Sequence, residues 1–285
     1  MTARLRGLVR DPKGVASFAL LLAIVVAALA APLIAPANPL LQSLPSSDLA
    51  PMASGPGGAR HWLGTDEYGR DVLSRVIYGA RVSLLVAVGA VFLAGVAGVT
   101  LGILAGFLAG PMDAVTMRLV DIQLAFPTVL LAIAWIAFIG NNLASLIAVV
   151  ALSGWASYVR IARASALSLR AVPFVEAMVA AGASRTRIML RHIAPNVMGP
   201  IIVLATLQLG RAVLLESTLS FLGLGVQPPT PSWGSMLADG RAQLDVAWWI
   251  AAFPGLAITL LVLGANLLGD ALRDALDPRF EQRRA

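Results

Sequence analysis

Residues 122–159 read IQLAFPTVLLAIAWIAFIGNNLASLIAVVALSGWASYV, thirty-eight positions without one charged side chain. As a single helix rising ~1.5 Å per residue, this run would be nearly twice as long as a bilayer core of ~30 Å is thick. It therefore predicts two spans folded back on each other, with Gly140-Asn141-Asn142 as the turn. Working outward, residues 15–34, 82–108 and 246–269 are each long and apolar enough to cross, as is 193–215, interrupted only by Arg211. The expectation is an all-α transmembrane chain of six helices. Residues 217–238 are also uncharged, but Pro228, Pro229, Pro231 and several glycines predict a loop there.

Composition points the same way. A hydrophobic content of 58%, a charged content of 13% and a mean hydropathy of +0.83 lie far from globular averages. The basic residues stand in patches between apolar runs, so the net charge of +6 reads as topology-setting charge and excludes nucleic acid as a partner. There is no cysteine, which removes disulfides and thiolate chemistry. His61 and His192 fall on opposite sides of the predicted membrane, so no metal site is expected. Lys13 is the only lysine and no G-x-x-x-x-G-K-[ST] run occurs, so no phosphate-cradling loop can be built and no enzymatic ATP chemistry is expected on this chain.

Six spans put both termini on one side. Arg4, Arg6, Arg10, Lys13, Arg118, six arginines from Arg160 to Arg191, Arg273, Arg279, Arg283 and Arg284 make fifteen basic residues there, against five on the other, namely Arg60, Arg70, Arg75, Arg81 and Arg241. The positive-inside rule makes the richer side cytoplasmic. The chain then divides into a cytoplasmic tail at 1–14, a first span at 15–34 and an external loop with an amphipathic helix at 35–81. A five-helix core follows at 82–269, containing a cytoplasmic loop at 160–196 and an external loop at 217–245, and residues 270–285 form a cytoplasmic tail. Ala28-Leu29-Ala30 has the form of a signal-peptide cleavage site, but the apolar run before it is longer than a usual signal core, so the segment is expected to remain as a span. In the external loop, Asp71 and Arg75 are spaced for an i,i+4 ion pair, with Val72, Leu73, Val76 and Ile77 on one face.

The cytoplasmic loop carries local helix signals. Pro173 suits a first helical turn, and Glu176 lies near the positive end of the dipole of a short helix over 173–181. That helix would place Val175, Met178, Val179 and Gly182 on one face. Gly182 is placed as its C-cap, and Ser184 as the N-cap of a second helix running to Pro195.

The spacing of Glu176-Ala177, Gly182 and Pro195 resembles the EAA loop of permease subunits of ABC importers, and His192-Ile193-Ala194-Pro195-Asn196 resembles its variant in the dipeptide, oligopeptide and nickel permeases. Met178, His192 and Ala194 depart from the commonest residues at their positions. Three more segments resemble the same branch: His61-Trp62-Leu63-Gly64-Thr65-Asp66 with Gly69-Arg70-Asp71, Glu216-Ser217-Thr218-Leu219-Ser220-Phe221 continued by Pro231-Ser232-Trp233-Gly234, and Gly269-Asp270-Ala271-Leu272-Arg273 through Asp277-Pro278. The resemblance covers residues 61–279 and indicates the C-type subunit. It implies a MetI-like, type I six-helix permease fold. It also implies a homologous B-type permease subunit, one or two ABC ATPase subunits that hold ATP and magnesium, an external substrate-binding protein, and no cofactor on this chain beyond surrounding membrane lipid.

Two further groups stand out. Gly98, Gly102, Gly106 and Gly110, four apart, allow close helix approach, either within the chain or to another subunit. Asp121, Arg211 and Glu216 are ionisable groups in or near spans, either structural pairs or substrate contacts. The expected function is peptide import across the inner membrane driven by partner ATPases, with nickel, glutathione or haem as alternative cargo. A secondary transporter, which would show intramembrane acids, broken helices or a repeat, and a membrane scaffold are the rival classes.

Overall fold

The computed structural model describes residues 11–56 and 58–276. The basic residues Arg4, Arg6, Arg10, Arg279, Arg283 and Arg284, and the Asp277-Pro278 end of the tail motif, lie outside them. Helix α1, Pro12–Leu29, starts where the Asp11 carboxylate accepts from the Lys13 and Gly14 amides, with Pro12 in the first turn. After one further helical turn, Ala31–Ile34, and a loop that includes a 3-10 turn at Leu44–Ser46, the chain enters α2, Val72–Leu108, an unbroken helix of 37 residues and thus ~55 Å long.

The N-terminal end of α2 corrects two expectations. No separate amphipathic helix lies at the surface, because Val72, Leu73, Val76 and Ile77 belong to the first turns of α2, with Val72 fully buried. Asp71 does not pair with Arg75. As the N-cap its backbone is extended and its carboxylate is taken by the Ser74 amide at 2.8 Å and the His61 Nδ1 at 3.0 Å. Arg75 turns instead to Asp66 at 3.0 Å and Asp239 at 3.3 Å.

The long uncharged run does fold back at Gly140-Asn141-Asn142. Gly140 takes a φ of 93°, and the Asn142 side chain caps α5, Leu143–Arg170, by accepting from the Ser145 amide at 2.9 Å. The span before that turn is not straight, however. It consists of α3, Gly110–Ala125, and α4, Thr128–Ile139, bent by 97°. Phe126 precedes Pro127 and is held extended at φ −97° and ψ 138°, which ends α3, and Pro127 has no amide with which to continue it. The sequence predicts one straight span before the turn, and Pro127 breaks it. Among the described residues, five helices are long and apolar enough to cross a membrane, and the bent pair makes a sixth if it counts as one span.

The predicted loop at 160–196 is shorter than its charge suggested. Helix α5 continues through Arg160 and Arg163 to Arg170, because Arg163 is paired with Asp113 of α3 rather than left to water. Beyond it come α6, Pro173–Ala180, and α7, Arg185–Ile188. A π turn, Met189–Ile193, then joins α7 to α8, Ala194–Phe221. The second loop helix thus does not stop at Pro195. The wider turn absorbs the proline, which lacks an amide, and the Asn196 side chain donates to the His192 carbonyl at 2.7 Å. The region at 217–245 is likewise more ordered than predicted. It contains α9, Trp233–Arg241, started by a reciprocal cap between Ser232 and Ser235, before α10, Trp249–Leu276.

The core lies where α2, α5 and α8 meet, around Val86, Ala90, Leu146, Val150 and Leu204. Helix α2 packs closely along α5, with no side chain of its own at three seam positions and the Cβ atoms of Tyr158, Ala162 and Ala166 facing them. A Cβ on Gly98 would lie 2.6 Å from the Trp155 carbonyl oxygen, and one on Gly102 or Gly106 would meet the Val159 or Arg163 carbonyl oxygen at the same distance. These glycines serve packing within the chain. Gly110 does not share that role, since at φ +62° it turns the chain between α2 and α3 with open space around it.

Candidate functional site

At one end of the bundle, α6 is assembled as the loop signals predict. Pro173 opens it, Glu176 stands in its first turn, and Gly182 takes φ +80° just beyond its end. The Ala183 amide reaches the Met178 carbonyl and the Gly182 amide the Val179 carbonyl, both at 3.0 Å, which is the Schellman closure. Ser184 then caps α7 by accepting from the Arg187 amide at 3.4 Å.

Its faces differ from the prediction. Val175, 1% exposed, and Met178 point into the chain's own core together with Ile188 and Ile193. Val179, one turn on from Val175, is nevertheless 56% exposed, and Phe174, Glu176 and Ala177 are exposed too, while Gly182 stands free. The buried pair fastens α6 to the bundle. The remaining surface, apolar apart from Glu176, faces outward, and the Phe174 and His192 rings lie 6.3 Å apart beside it. Pro195 and Asn196 sit exposed in the first turn of α8.

The ionisable residues in or near spans separate into three cases. Asp121 is an exposed group of α3 in a 3.4 Å pair with Arg160 of α5. Glu216 is fully buried in α8 and is held by hydroxyls: Ser220 at 2.8 Å, Ser83 of α2 at 3.3 Å and Ser217 at 3.4 Å, with the Trp233 amide at the start of α9 donating to Ser83 in turn. No cation pairs with it among the described residues, and Arg211 is not brought to it. This hydroxyl cradle makes burial of the group tolerable and ties α2, α8 and the start of α9 together. Arg211 lines a cavity of about 280 Å³ between α2, α5 and α8, beside the break between α3 and α4.

At the opposite end from α6, Asp66, Arg70, Arg75 and Asp239 form a largely buried ion cluster, with Arg70 2.7 Å from Asp66. Burial pushes the Asp239 carboxyl above the usual range, while Arg75 and Arg70 pull it down. Trp233 donates from Nε1 to the Val76 carbonyl at 2.9 Å and from its amide to Ser83 Oγ at 3.3 Å, seating α9 on α2. Sequence reasoning missed this cluster, the Asp113 pairing and the Ser83 contact. Apart from the local contacts of Asp66 with Arg70 and Arg75, these partners are brought together only by the fold, at separations of 50 to 164 residues.

Comparison with known proteins follows this geometry. Residues 98–282 match the family model of binding-protein-dependent transport system inner membrane components, and residues 4–51 that of the N-terminal transmembrane domain of oligopeptide transport permease C. The chain is similar to the di/tripeptide transport system permease protein DppC of Pseudomonas aeruginosa (strain UCBPP-PA14), at 46% identity over 92% of this chain and 86% of the relative. It is also similar to the glutathione transport system permease protein GsiD of Escherichia coli (strain UTI89 / UPEC), at 44% identity over 78% and 73%. Among solved structures, an inward-facing form of the MetNI methionine ABC transporter aligns with a TM-score of 0.58, at 17% identity over 71% of this chain and 96% of the other, a likeness of fold.

Proposed function

Because the chain belongs to the family of binding-protein-dependent transport system inner membrane components, as a permease of the DppC/OppC type, we propose that it forms half of a peptide path through the inner membrane. The observation that carries the coupling part of this reading is the construction of α6. A short helix is pinned from behind by Val175 and closed by Gly182, and it presents Phe174, Glu176, Ala177 and Val179 to a partner. In this reading α6 docks on a cytoplasmic ATPase and both termini are cytoplasmic. A homologous B-type subunit completes the path, and one or two ATPases bind ATP and magnesium. An external binding protein delivers cargo at the α9 end. The chain moves substrate and breaks no bond. Closure of the ATPases displaces α6, and the helices rock between inward-open and outward-open arrangements.

The test is uptake of a labelled dipeptide by vesicles that hold the chain with its co-expressed partners. Uptake requiring both ATP and the binding protein is expected. Uptake by this chain alone would identify a secondary transporter, and a stable partner without ATP-dependent flux would identify a scaffold. Similarity to the glutathione permease supports a second cargo, tested by competition of glutathione with the dipeptide.

A further inference from the structure

The cavity beside the broken span is walled by apolar side chains and a few neutral polar ones, and Arg211 is the one charged residue that lines it. Arg211 lies well inside α8, and none of the described carboxylates pairs with it. Its side chain is exposed along the cavity, and an arginine within a span usually faces a water-filled path or a partner rather than lipid. Tyr158 of α5 borders the same cavity and is 1% exposed; its hydroxyl is enclosed by the chain and has no hydrogen-bond partner. A buried unpaired hydroxyl costs free energy that a ligand would recover. Thr128 opens α4 at the cavity wall. The amides of the first turn of α4 have no intrahelical acceptor, the first such bond running from Leu131 to Pro127. No aspartate or glutamate lines the space. A broken helix at membrane depth is tolerated where it borders a cavity, and half-helix N-termini recur where transporters hold anionic groups.

We propose that Arg211, the Tyr158 hydroxyl and the N-terminus of α4 form a donor-lined station that receives the carboxylate of the cargo as it crosses. The proposal rests on the peptide-import reading. Dipeptides and glutathione share the required group, since each carries a free carboxylate. The cavity volume of about 280 Å³ falls just below the ~300–1,000 Å³ of small-molecule sites, as suits one wall of a path shared with a second subunit.

The experiment uses the full complex in vesicles, with a saturating binding protein whose affinity for each peptide is measured separately. Uptake of Ala-Ala is compared with uptake of its C-terminal amide. Arg211→Gln should lower Ala-Ala uptake about tenfold while leaving that of the amide unchanged, and Arg211→Lys should restore part of the loss. Tyr158→Phe removes only the unpaired hydroxyl. It should lower Ala-Ala uptake without lowering thermal stability, which a purely structural role does not predict. An equal fall for acid and amide, or separation of the two permease subunits on Arg211→Gln, would assign the arginine to structure or to an acid on the facing subunit and overturn the proposal. If the wild-type complex takes up neither peptide, the import reading fails before any variant is made, and the proposal falls with it.

Discussion

The Ala183 amide donates to the Met178 carbonyl over 3.0 Å, and Gly182, between them in the fold of the chain, carries the φ of +80° that makes the bond possible. A β-branched residue resists that conformation by ~1–2 kcal/mol, whereas asparagine accepts it. The space around Gly182 is open within the chain, so the cost is one of backbone conformation. Gly182→Val should cut substrate-stimulated ATP hydrolysis and uptake roughly tenfold in vesicles holding the full complex. Gly182→Asn should retain most of both. Equal loss in the two variants would mean that a partner surface, and not the turn, excludes side chains there.

Asp66 accepts from Arg70 and is ion-paired with Arg75, each arginine less than a tenth exposed, whereas Asp71 serves mainly as a helix cap. Asp66→Asn strands buried charge and should destabilise by ~3–5 kcal/mol. Asp71→Asn keeps a good cap and should cost no more than ~1 kcal/mol. Thermal unfolding of the purified complex in detergent should rank the two in that order; a reversed order would refute the assigned partners.

Within α2, two glycines should respond with opposite signs. A Cβ on Gly102 would stand 2.6 Å from the Val159 carbonyl oxygen, and one on Gly95 only 3.7 Å from the Tyr158 ring. Gly102→Ala should force α2 off α5 and destabilise by ~1–3 kcal/mol. Gly95→Ala should be neutral or gain up to ~1 kcal/mol of helix propensity. The fraction of protein that stays monodisperse after a heat step separates these outcomes.

Sidedness follows from a chain with no cysteine of its own. Ser54→Cys and Thr230→Cys, both at exposed positions, should react with an impermeant thiol reagent in intact cells, while Ser184→Cys should react only after permeabilisation. Labelling of Ser184→Cys in intact cells would invert the topology.

Hydropathy and local caps made much of this molecule legible. The fold-back at Gly140-Asn141-Asn142 and the glycine at the end of α6 are written in nearest-neighbour chemistry, which acts the same before and after folding. The break at Pro127 was equally local, and it was passed over because the apolar run around it is continuous. Faces were harder. Val179 shares the helical spacing of Val175 but not its burial, because what α6 packs on is decided by α5 and the π turn. Arg75 found Asp239, 164 residues away, over the nearer Asp71, because that carboxylate was already engaged by the first turn of its own helix.

The two helices joined through Gly98, Gly102 and Gly106 leave no soft layer in which either can bend apart from the other. Helix α2 touches α9 at one extremity and the Met189–Ile193 turn at the other, so it is a lever with a load at each end. Tilting an arm of ~55 Å by ~5° about its midpoint carries the ends ~2.5 Å in opposite senses. Because the glycine seam fixes α2 to α5 near one end, a displacement at the α6 side carries the pair as one body and moves the α9 side in the opposite sense.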